Sequence, residues 1–171
     1  MTSLAADQHL VLVGMMAVGK TTVARLAAER LGRPALDSDE MIEQRTGRTV
    51  REIFADDGEA AFRALETEVL RLALASDRPA VIAAAGGVVL NPDNRAVLKG
   101  SHARVVWLLA DTATLLQRIH SAGHRPLLDD DPAGTLQRMF REREALYREV
   151  AHAIVVVDQR SVDEVVDAVM A

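Results

Sequence analysis

The stretch His9-Leu10-Val11-Leu12-Val13-Gly14-Met15-Met16-Ala17-Val18-Gly19-Lys20-Thr21-Thr22 decides how this chain of 171 residues folds. An apolar run ends at Gly14, a compact loop follows, and a helical pattern begins at Gly19. The spacing fits the phosphate-binding pattern Gly-x-x-x-x-Gly-Lys-Ser/Thr, in which a strand precedes the loop and a helix follows it. A strand-to-helix turn without a ligand explains both glycines but gives no reason for Lys20, because the chain contains only one other lysine, Lys99. We therefore predict a nucleotide-binding site.

The residue types of this loop suit polyphosphate oxygens and a divalent cation. Backbone N–H groups of the loop and of the helix start converge on phosphate in such turns. We assign these contacts to Gly14, Met15, Met16, Ala17, Val18, Gly19, Lys20, Thr21 and Thr22. Lys20 adds a positive charge beside the outer phosphates, and the Thr21 hydroxyl is placed to ligate Mg²⁺.

Composition bounds what else the chain can be. It is 49% hydrophobic and 26% charged, which is typical of a globular protein, and its length suits a single domain over residues 1–171. No apolar run approaches the roughly 20 residues of a membrane span, and residues 1–8 lack the basic start of a signal peptide. The net charge of −5 argues against a nucleic-acid partner. Because the chain has no cysteine and no export signal, we expect a cytoplasmic protein.

Apolar runs that alternate with helical patterns predict the fold. The runs at residues 10–13, 34–39, 79–85, 104–109 and 153–157 are expected to be strands. Helices are expected at residues 21–31, 39–45, 49–57, 58–75, 92–98, 111–120, 133–150 and after Ser161. This order predicts a three-layer α/β fold, with a five-stranded parallel sheet and helices on both faces. Periodicity fails over residues 121–132, which we interpret as a mobile lid.

Ligands of such sheets bind at the carboxyl ends of the strands, where acidic residues follow the second predicted strand. Asp37 and Asp39 are two residues apart at this strand end, so their side chains should leave on the same face. One would hold the magnesium shell while the other orients or deprotonates an acceptor hydroxyl. In the plainer interpretation, Asp39 is only the N-cap of the next helix.

Arginines and glycines further along the chain also have two interpretations. Arg63 and Glu66 lie three apart on a helix, as either a surface ion pair or an arginine that a glutamate aims at an anionic substrate. Gly86-Gly87 is either a plain turn or a close approach of backbone to a ligand. Arg125 lies in the predicted lid, from which a closing arginine would stabilise charge on the transferred phosphoryl group. Arg143 shares its helix with other arginines, and pattern alone does not single it out.

Taken in order, these motifs resemble the shikimate kinase family. The resemblance is carried by Leu36-Asp37-Ser38-Asp39, Phe62-Arg63-x-x-Glu66, Ala85-Gly86-Gly87, Arg125-Pro126-Leu127-Leu128 and Arg143-x-x-Leu146-Tyr147, and it runs from about residue 11 to residue 157. It implies a P-loop kinase of the nucleoside-monophosphate-kinase type. It also implies ATP-dependent phosphorylation of the 3-hydroxyl of shikimate, a step of aromatic amino-acid biosynthesis that gives shikimate 3-phosphate and ADP.

The resemblance implies a role for each matching residue. Lys20, Asp39 and Arg125 would be catalytic, and ATP would contact the phosphate loop, Arg118 and Arg125. Shikimate would bind to Asp39, Arg63, Gly86, Gly87 and Arg143, with Glu66 orienting Arg63. Thr21 and Asp37 would serve Mg²⁺. The substrate-binding region would cover about residues 37–66, and the protein would be a monomer.

Two positions depart from the family pattern. Ala17 stands where the family usually has glycine, and a left-handed backbone at this position would cost alanine ~1–2 kcal/mol. Ala85 replaces the first glycine of the triplet and adds a methyl group close to the substrate pocket.

Two other functions fit part of the pattern. One is a kinase of the same fold for another anion such as gluconate, because the pair Arg63 and Arg143 requires an anion without specifying which one. The other is a regulatory module that binds nucleotide without catalysis, against which the presence of both Asp37 and Asp39 argues.

Overall fold

The computed structural model describes residues 4–122 and 131–171, so that most of the predicted lid, including Arg125, lies outside the described residues. The strands are β1 (Leu10–Val13), β2 (Ala35–Asp37), β3 (Val81–Ala83), β4 (Arg104–Leu109) and β5 (Ala153–Val156). The helices are α1 (Lys20–Leu31), α2 (Ser38–Thr46), α3 (Val50–Leu74), α4 (Pro92–Gly100), α5 (Thr112–Ala122), α6 (Pro132–Val150) and α7 (Val162–Met170). A short 3₁₀ turn, Val88–Leu90, was not expected from the sequence.

The five strands form one parallel sheet in the order β2-β3-β1-β4-β5. In its register, Leu10 of β1 lies opposite Val81 on one side and Arg104 on the other. The chain leaves the central strand β1 toward β2 and β3 on one side, and later continues to β4 and β5 on the other. This reversal opens a crevice at the carboxyl end of β1, where ligands of doubly wound sheets bind. The predicted fold class is confirmed.

The sheet is buried on both faces, as its apolar runs predict. All four residues of β1 are fully buried, and helix α1 packs beside α7 while α6 packs with α4 and α5. The edge strand β5 leaves Ile154 and Val156 partly exposed. In the part of the chain that the structure describes, no helix is both long enough and apolar enough to cross a membrane.

The second strand is shorter than predicted, and this changes the placement of the two aspartates. Strand β2 ends at Asp37 because the Asp37 carboxylate accepts hydrogen bonds from the N–H groups of Asp39 and Glu40 and so caps helix α2. Asp39 therefore lies in the first turn of α2. The prediction that both side chains leave one face of a strand is wrong, and the N-cap is Asp37 and not Asp39.

The third helix joins two segments that the sequence separates. Thr49 and Glu52 form a capping box at its start. Gly58, with φ 84° and ψ 175°, then interrupts the helical backbone, which agrees with the predicted boundary at this residue. The kink redirects the second segment, which carries Arg63 and Glu66 toward the carboxyl edge of the sheet.

Candidate active site

The phosphate loop passes so close to strand β4 that its first glycine cannot be replaced. Gly14 has a φ of 145°, and a Cβ on it would lie 2.5 Å from the carbonyl oxygen of Leu108. Helix α1 follows, and among the described residues it has neither a side-chain cap hydrogen bond nor an acidic residue in its first turn. Its N-terminal N–H groups and positive dipole end are therefore available to an anion.

Lys20 and Thr21 begin helix α1 and are held by the loop and by strand β2. The Lys20 ammonium donates hydrogen bonds to the carbonyl oxygens of Gly14 and Met15, each over 2.9 Å. The Thr21 hydroxyl donates to Oδ2 of Asp37 over 2.6 Å. These contacts keep the cation and the hydroxyl at the mouth of the loop.

The donor set at Thr21 and Asp37 suits Mg²⁺. A hydroxyl oxygen and a carboxylate meet beside a phosphate-binding loop, and such hard oxygen ligands are those that Mg²⁺ prefers. No group of three or more acidic, histidine or cysteine side chains that could hold a metal occurs in residues 4–122 and 131–171. In proteins, Mg²⁺ usually takes one or two carboxylates and completes its shell with water and substrate phosphates.

One pocket of about 220 Å³ joins the phosphate loop to the aspartates. Its lining residues come from the carboxyl ends of three neighbouring strands: Met16, Ala17, Gly19, Lys20, Thr21, Thr22, Asp37, Asp39, Ala83, Ala84, Ala85 and Gly86. The structure therefore brings Asp37 and Asp39 to the phosphate loop, as the sequence predicts, although by a strand end followed by a helix turn.

Arg63 is held by two carboxylates. Both oxygens of Glu66 accept from its Nη1 over 3.0 Å, and Oε1 of Glu59 accepts from Nε and Nη2 over 3.3 and 3.1 Å. The Glu66 side chain is 1% exposed whereas that of Glu59 is 65% exposed. The interpretation of a surface pair is therefore wrong for Glu66, which is a buried anion, and Glu59 is a second partner that the sequence analysis did not identify.

The charges of this cluster influence one another. Burial raises the pKa of the Glu66 carboxyl, as does the charge of Asp39, while the charges of Arg63 and Arg143 offset part of this increase. Burial opposes the charge on Arg63, but Glu66 and Glu59 more than compensate and its pKa lies above its ordinary value. Glu66 thus lies within electrostatic reach of Asp39, Arg63 and Arg143.

Gly86 and Gly87 leave space for these arginines. A Cβ on Gly87 would lie 2.1 Å from Nη1 of Arg63, which a real side chain cannot tolerate. A Cβ on Gly86 would lie 3.7 Å from Nη1 of Arg143. The Arg63 guanidinium therefore requires a glycine at position 87, whereas a Cβ on Gly86 would make only an ordinary contact with Arg143.

Arg143 and Tyr147 lie one turn apart on α6 and are both buried. Among the described residues, Nε of Arg143 has no hydrogen-bond partner. The Tyr147 hydroxyl donates to the Gly86 carbonyl, and its ring stacks on Trp107 with centroids 5.6 Å apart. Burial raises the pKa of Tyr147 to about 12, although the charge of Arg143 and a hydrogen bond with it act in the opposite direction.

Arg118 lies on the other side of the phosphate loop. Its Nη1 donates to the carbonyl oxygens of Val18 and Ala17 over 2.9 and 3.3 Å. It borders a second pocket of about 330 Å³, which adjoins the loop and is otherwise largely apolar because Val157, Val162 and Val165 contribute to it. The structure thus places Arg118 beside the loop but away from Asp39.

Ser38 is a further residue that the sequence analysis did not single out. Its side chain is buried, and its hydroxyl accepts a hydrogen bond of 2.8 Å from the N–H of Ala85. This contact fastens the turn after β3 to the start of α2. The only feature of the sequence that could have pointed to Ser38 was its position between Asp37 and Asp39.

These features define a class of protein. A Gly-Lys-Thr loop between β1 and α1, two carboxylates at the next strand end, and two arginines around a buried glutamate describe a P-loop kinase of a small anionic molecule.

Comparison with known proteins identifies the particular family. The profile of the family described as "Shikimate kinase" matches residues 16–171, and the chain belongs to this family. A shikimate kinase of Symbiobacterium thermophilum is 45% identical over 165 residues, which cover 95% of this chain and 94% of that protein. A solved structure of the shikimate kinase from Acinetobacter baumannii in complex with shikimate is 39% identical, with a TM-score of 0.89 over 95% of this chain and 90% of that one. Members of the family transfer phosphate from ATP to shikimate.

A gluconokinase structure from Sinorhizobium meliloti 1021 has the same fold at lower similarity. It is 18% identical to this chain, with a TM-score of 0.64 over 98% of this chain and 91% of that one. Similarity at this level shows the fold alone and does not favour gluconate as the acceptor.

Ala17 has the left-handed backbone that the sequence analysis considered. Its φ is 62°, and only Gln159 shares a positive φ among the non-glycine residues that the structure describes. The phosphate loop therefore carries a local strain of ~1–2 kcal/mol at Ala17.

Replacing Ala17 by glycine should relieve this strain. Glycine gains freedom in the unfolded chain, which offsets part of the effect, so we expect Ala17→Gly to raise the free energy of unfolding by about 0.5–1 kcal/mol. Chemical denaturation would measure it. The control is Ala145→Gly at an exposed position inside α6, which should lower stability by about 1 kcal/mol. Equal destabilisation by both variants would refute the strain at Ala17.

Proposed function

We propose that this protein transfers the γ-phosphate of ATP to the 3-hydroxyl of shikimate, giving shikimate 3-phosphate and ADP, through the residues of the pocket that begins at the phosphate loop. The observation that carries the proposal is the arrangement of Arg63 and Arg143 around buried Glu66, over the bare backbone of Gly86-Gly87. Buried Glu66 offsets the charge of one arginine, and Glu59, whose side chain is exposed, could give up the other to a carboxylate on the acceptor.

On the donor side, the loop residues 14–22 would hold the phosphates of ATP through backbone N–H groups and through Lys20. Lys20 would exchange its bonds with the Gly14 and Met15 carbonyls for phosphate oxygens. The apolar pocket beside Arg118 suits the adenine ring, whose face the guanidinium would cover. Arg125 would close over the phosphates from the lid, a role that rests on the motif because this residue lies outside the described part of the chain.

Mg²⁺ would be held by Thr21 and, through water, by Asp37. When bound, it would neutralise charge on the β- and γ-phosphates. The hydrogen bond between the Thr21 hydroxyl and the Asp37 carboxylate supports this role because it brings both oxygens to one point at the mouth of the loop.

On the acceptor side, Arg63 and Arg143 would bind the carboxylate of shikimate and Asp39 its hydroxyls. Glu59 accepts hydrogen bonds from Nε and Nη2 of Arg63, and the substrate carboxylate would replace it. The loss of this ion pair would cost little free energy, because a pair with an exposed carboxylate contributes at most ~1 kcal/mol. Asp39 would then position the 3-hydroxyl and accept its proton.

The chemistry would be an in-line displacement that depends on positioning and on neutralising charge. An acceptor held by the arginines would present its hydroxyl toward Asp39, which lines the pocket at the phosphate loop and lies within electrostatic reach of Glu66. Closure of the lid would exclude water, which competes with the acceptor hydroxyl for the phosphoryl group.

Further properties are proposed on the sequence. The chain length and the family match over residues 16–171 support a single kinase domain in a monomeric protein. The lack of cysteine supports a cytoplasmic location. The negative net charge supports the proposal that the protein binds neither nucleic acid nor membrane surfaces.

An acceptor panel tests the substrate. ADP release from ATP and Mg²⁺ would be measured with shikimate, gluconate and quinate as alternative acceptors. We expect shikimate to give the highest kcat/KM by at least about 100-fold, because gluconate and quinate share its carboxylate but not its unsaturated ring, which fixes where the hydroxyls lie relative to the carboxylate. A preference for gluconate would show that the protein is a gluconate kinase and would contradict the proposal. ATP binding without turnover on any acceptor would instead indicate a regulatory module.

Arg143→Ala tests the carboxylate grip. The variant loses a charge-assisted contact worth about 1.5–3 kcal/mol, so the Kd for shikimate should rise roughly 10- to 150-fold while the Kd for ATP changes little. Isothermal titration would measure both constants. Arg141→Ala is the control, because Arg141 is exposed on the same helix and its loss should leave both constants near those of the parent protein. An equal loss of affinity for both ligands in Arg143→Ala would make Arg143 a structural residue.

A further inference from the structure

Tyr147 places a hydroxyl group between the phosphate loop and the arginines of the acceptor side. The proposed function assigns no role to this hydroxyl. The phenol ring is fully buried, and Oη donates a hydrogen bond to the carbonyl of Gly86. The ring also stacks on Trp107 at an interplanar angle of 25°. A phenylalanine would satisfy the stacking alone, so the buried hydroxyl requires an explanation of its own.

The hydroxyl lies between the two arms of the active site. Both the phenol and Arg143 lie against Gly86: the phenol donates to its carbonyl, and a Cβ on Gly86 would lie 3.7 Å from Nη1 of Arg143. The same Cβ would lie 3.4 Å from the carbonyl oxygen of Gly14 and the N–H nitrogen of Met16 in the phosphate loop. The backbone of Gly86 therefore lies between Tyr147, Arg143 and the phosphate loop.

We propose that Tyr147 is a positioning residue, whose hydroxyl holds the Gly86-Gly87 turn beside the Arg143 guanidinium and so sets the distance between the acceptor carboxylate and the phosphate loop. This inference rests on the proposed function, because it takes Arg143 to be a group that binds the acceptor carboxylate.

Two observations explain why the contact matters. Nε of Arg143 is buried without a hydrogen-bond partner in the described residues, so its guanidinium depends on few contacts for its orientation. The Tyr147 phenol stays protonated throughout the physiological range, since burial raises its pKa to about 12. It therefore remains a donor to the Gly86 carbonyl throughout this range.

The test is Tyr147→Phe, which removes the hydroxyl and keeps the ring. We expect the KM for shikimate to rise about tenfold, the KM for ATP to change less than about twofold, and kcat to fall less than about threefold. In the double variant with Arg143→Ala, the added effect of Tyr147→Phe should nearly disappear, because the residue acts through the arginine. Unchanged KM values, equal rises in both KM values, or full additivity would each overturn the proposal.

Two further measurements separate positioning from general damage. Trp107→Phe weakens the same packing but keeps the hydroxyl, and it should lower the melting temperature without changing the KM for shikimate. Hydrogen–deuterium exchange of residues 84–90 should become faster in Tyr147→Phe, and this readout does not depend on the acceptor. If the parent protein failed to phosphorylate shikimate, the proposed function would fail, and unchanged exchange in Tyr147→Phe would separately reject the role of Tyr147.

Discussion

The acceptor half of the site depends on one buried carboxylate. Glu66 is nearly inaccessible to solvent and accepts two hydrogen bonds from Arg63, while Arg143 lies within its electrostatic reach. Without this anion, two arginines would face each other in a partly dehydrated pocket at considerable electrostatic cost. With it, Arg63 has a fixed geometry and part of the positive charge is offset. In the proposed function, the carboxylate of shikimate would take the place of Glu59 and bind the positive charge that Glu66 does not offset.

Neighbouring elements are arranged to accommodate this cluster. Gly87 lacks the side chain that would collide with the Arg63 guanidinium, and the kink at Gly58 directs the helix that carries Arg63 and Glu66. Ser38 fastens the turn after β3 to α2, so that the glycines and the aspartates keep one relative position. The sheet order brings these pieces beside β1, whose loop would bind the donor. Preorganisation of this kind is the main source of rate in phosphoryl transfer.

The sequence predicted what depends on local patterns. The phosphate loop follows from spacing within nine residues, and the strand order of an α/β fold limits where its ligands can lie. The aspartates were assigned to the correct edge, but strand β2 ends earlier than its apolar run suggests because Asp37 turns to cap α2. Whether the backbone after Asp37 continues as a strand or begins a helix depends on a few hydrogen bonds to the Asp37 side chain, and the residue types alone do not reveal which form.

Contacts between residues that are far apart in the sequence could not be predicted from local sequence patterns. Gly87 is required by a guanidinium that is 24 positions away in the sequence, and the hydroxyl of Tyr147 meets a carbonyl 61 positions away. Glu59 was not assigned a role from the sequence, since only the folded helix brings it to the outer edge of Arg63. The resemblance to a family supplied Arg143, which its own helix pattern could not distinguish from exposed arginines. Burial, which sequence does not display directly, makes that distinction.

The central claim is that the acceptor is recognised through its carboxylate, and neutralising that group tests it most directly. The kcat/KM for shikimate would be compared with that for its methyl ester, which keeps the ring and the hydroxyls but carries no charge. The account predicts a value at least about 30-fold lower for the ester, since about 2 kcal/mol of charge-assisted binding would be lost. Equal values for the acid and the ester would contradict it, because Arg63, Arg143 and Glu66 would then have no charge to recognise.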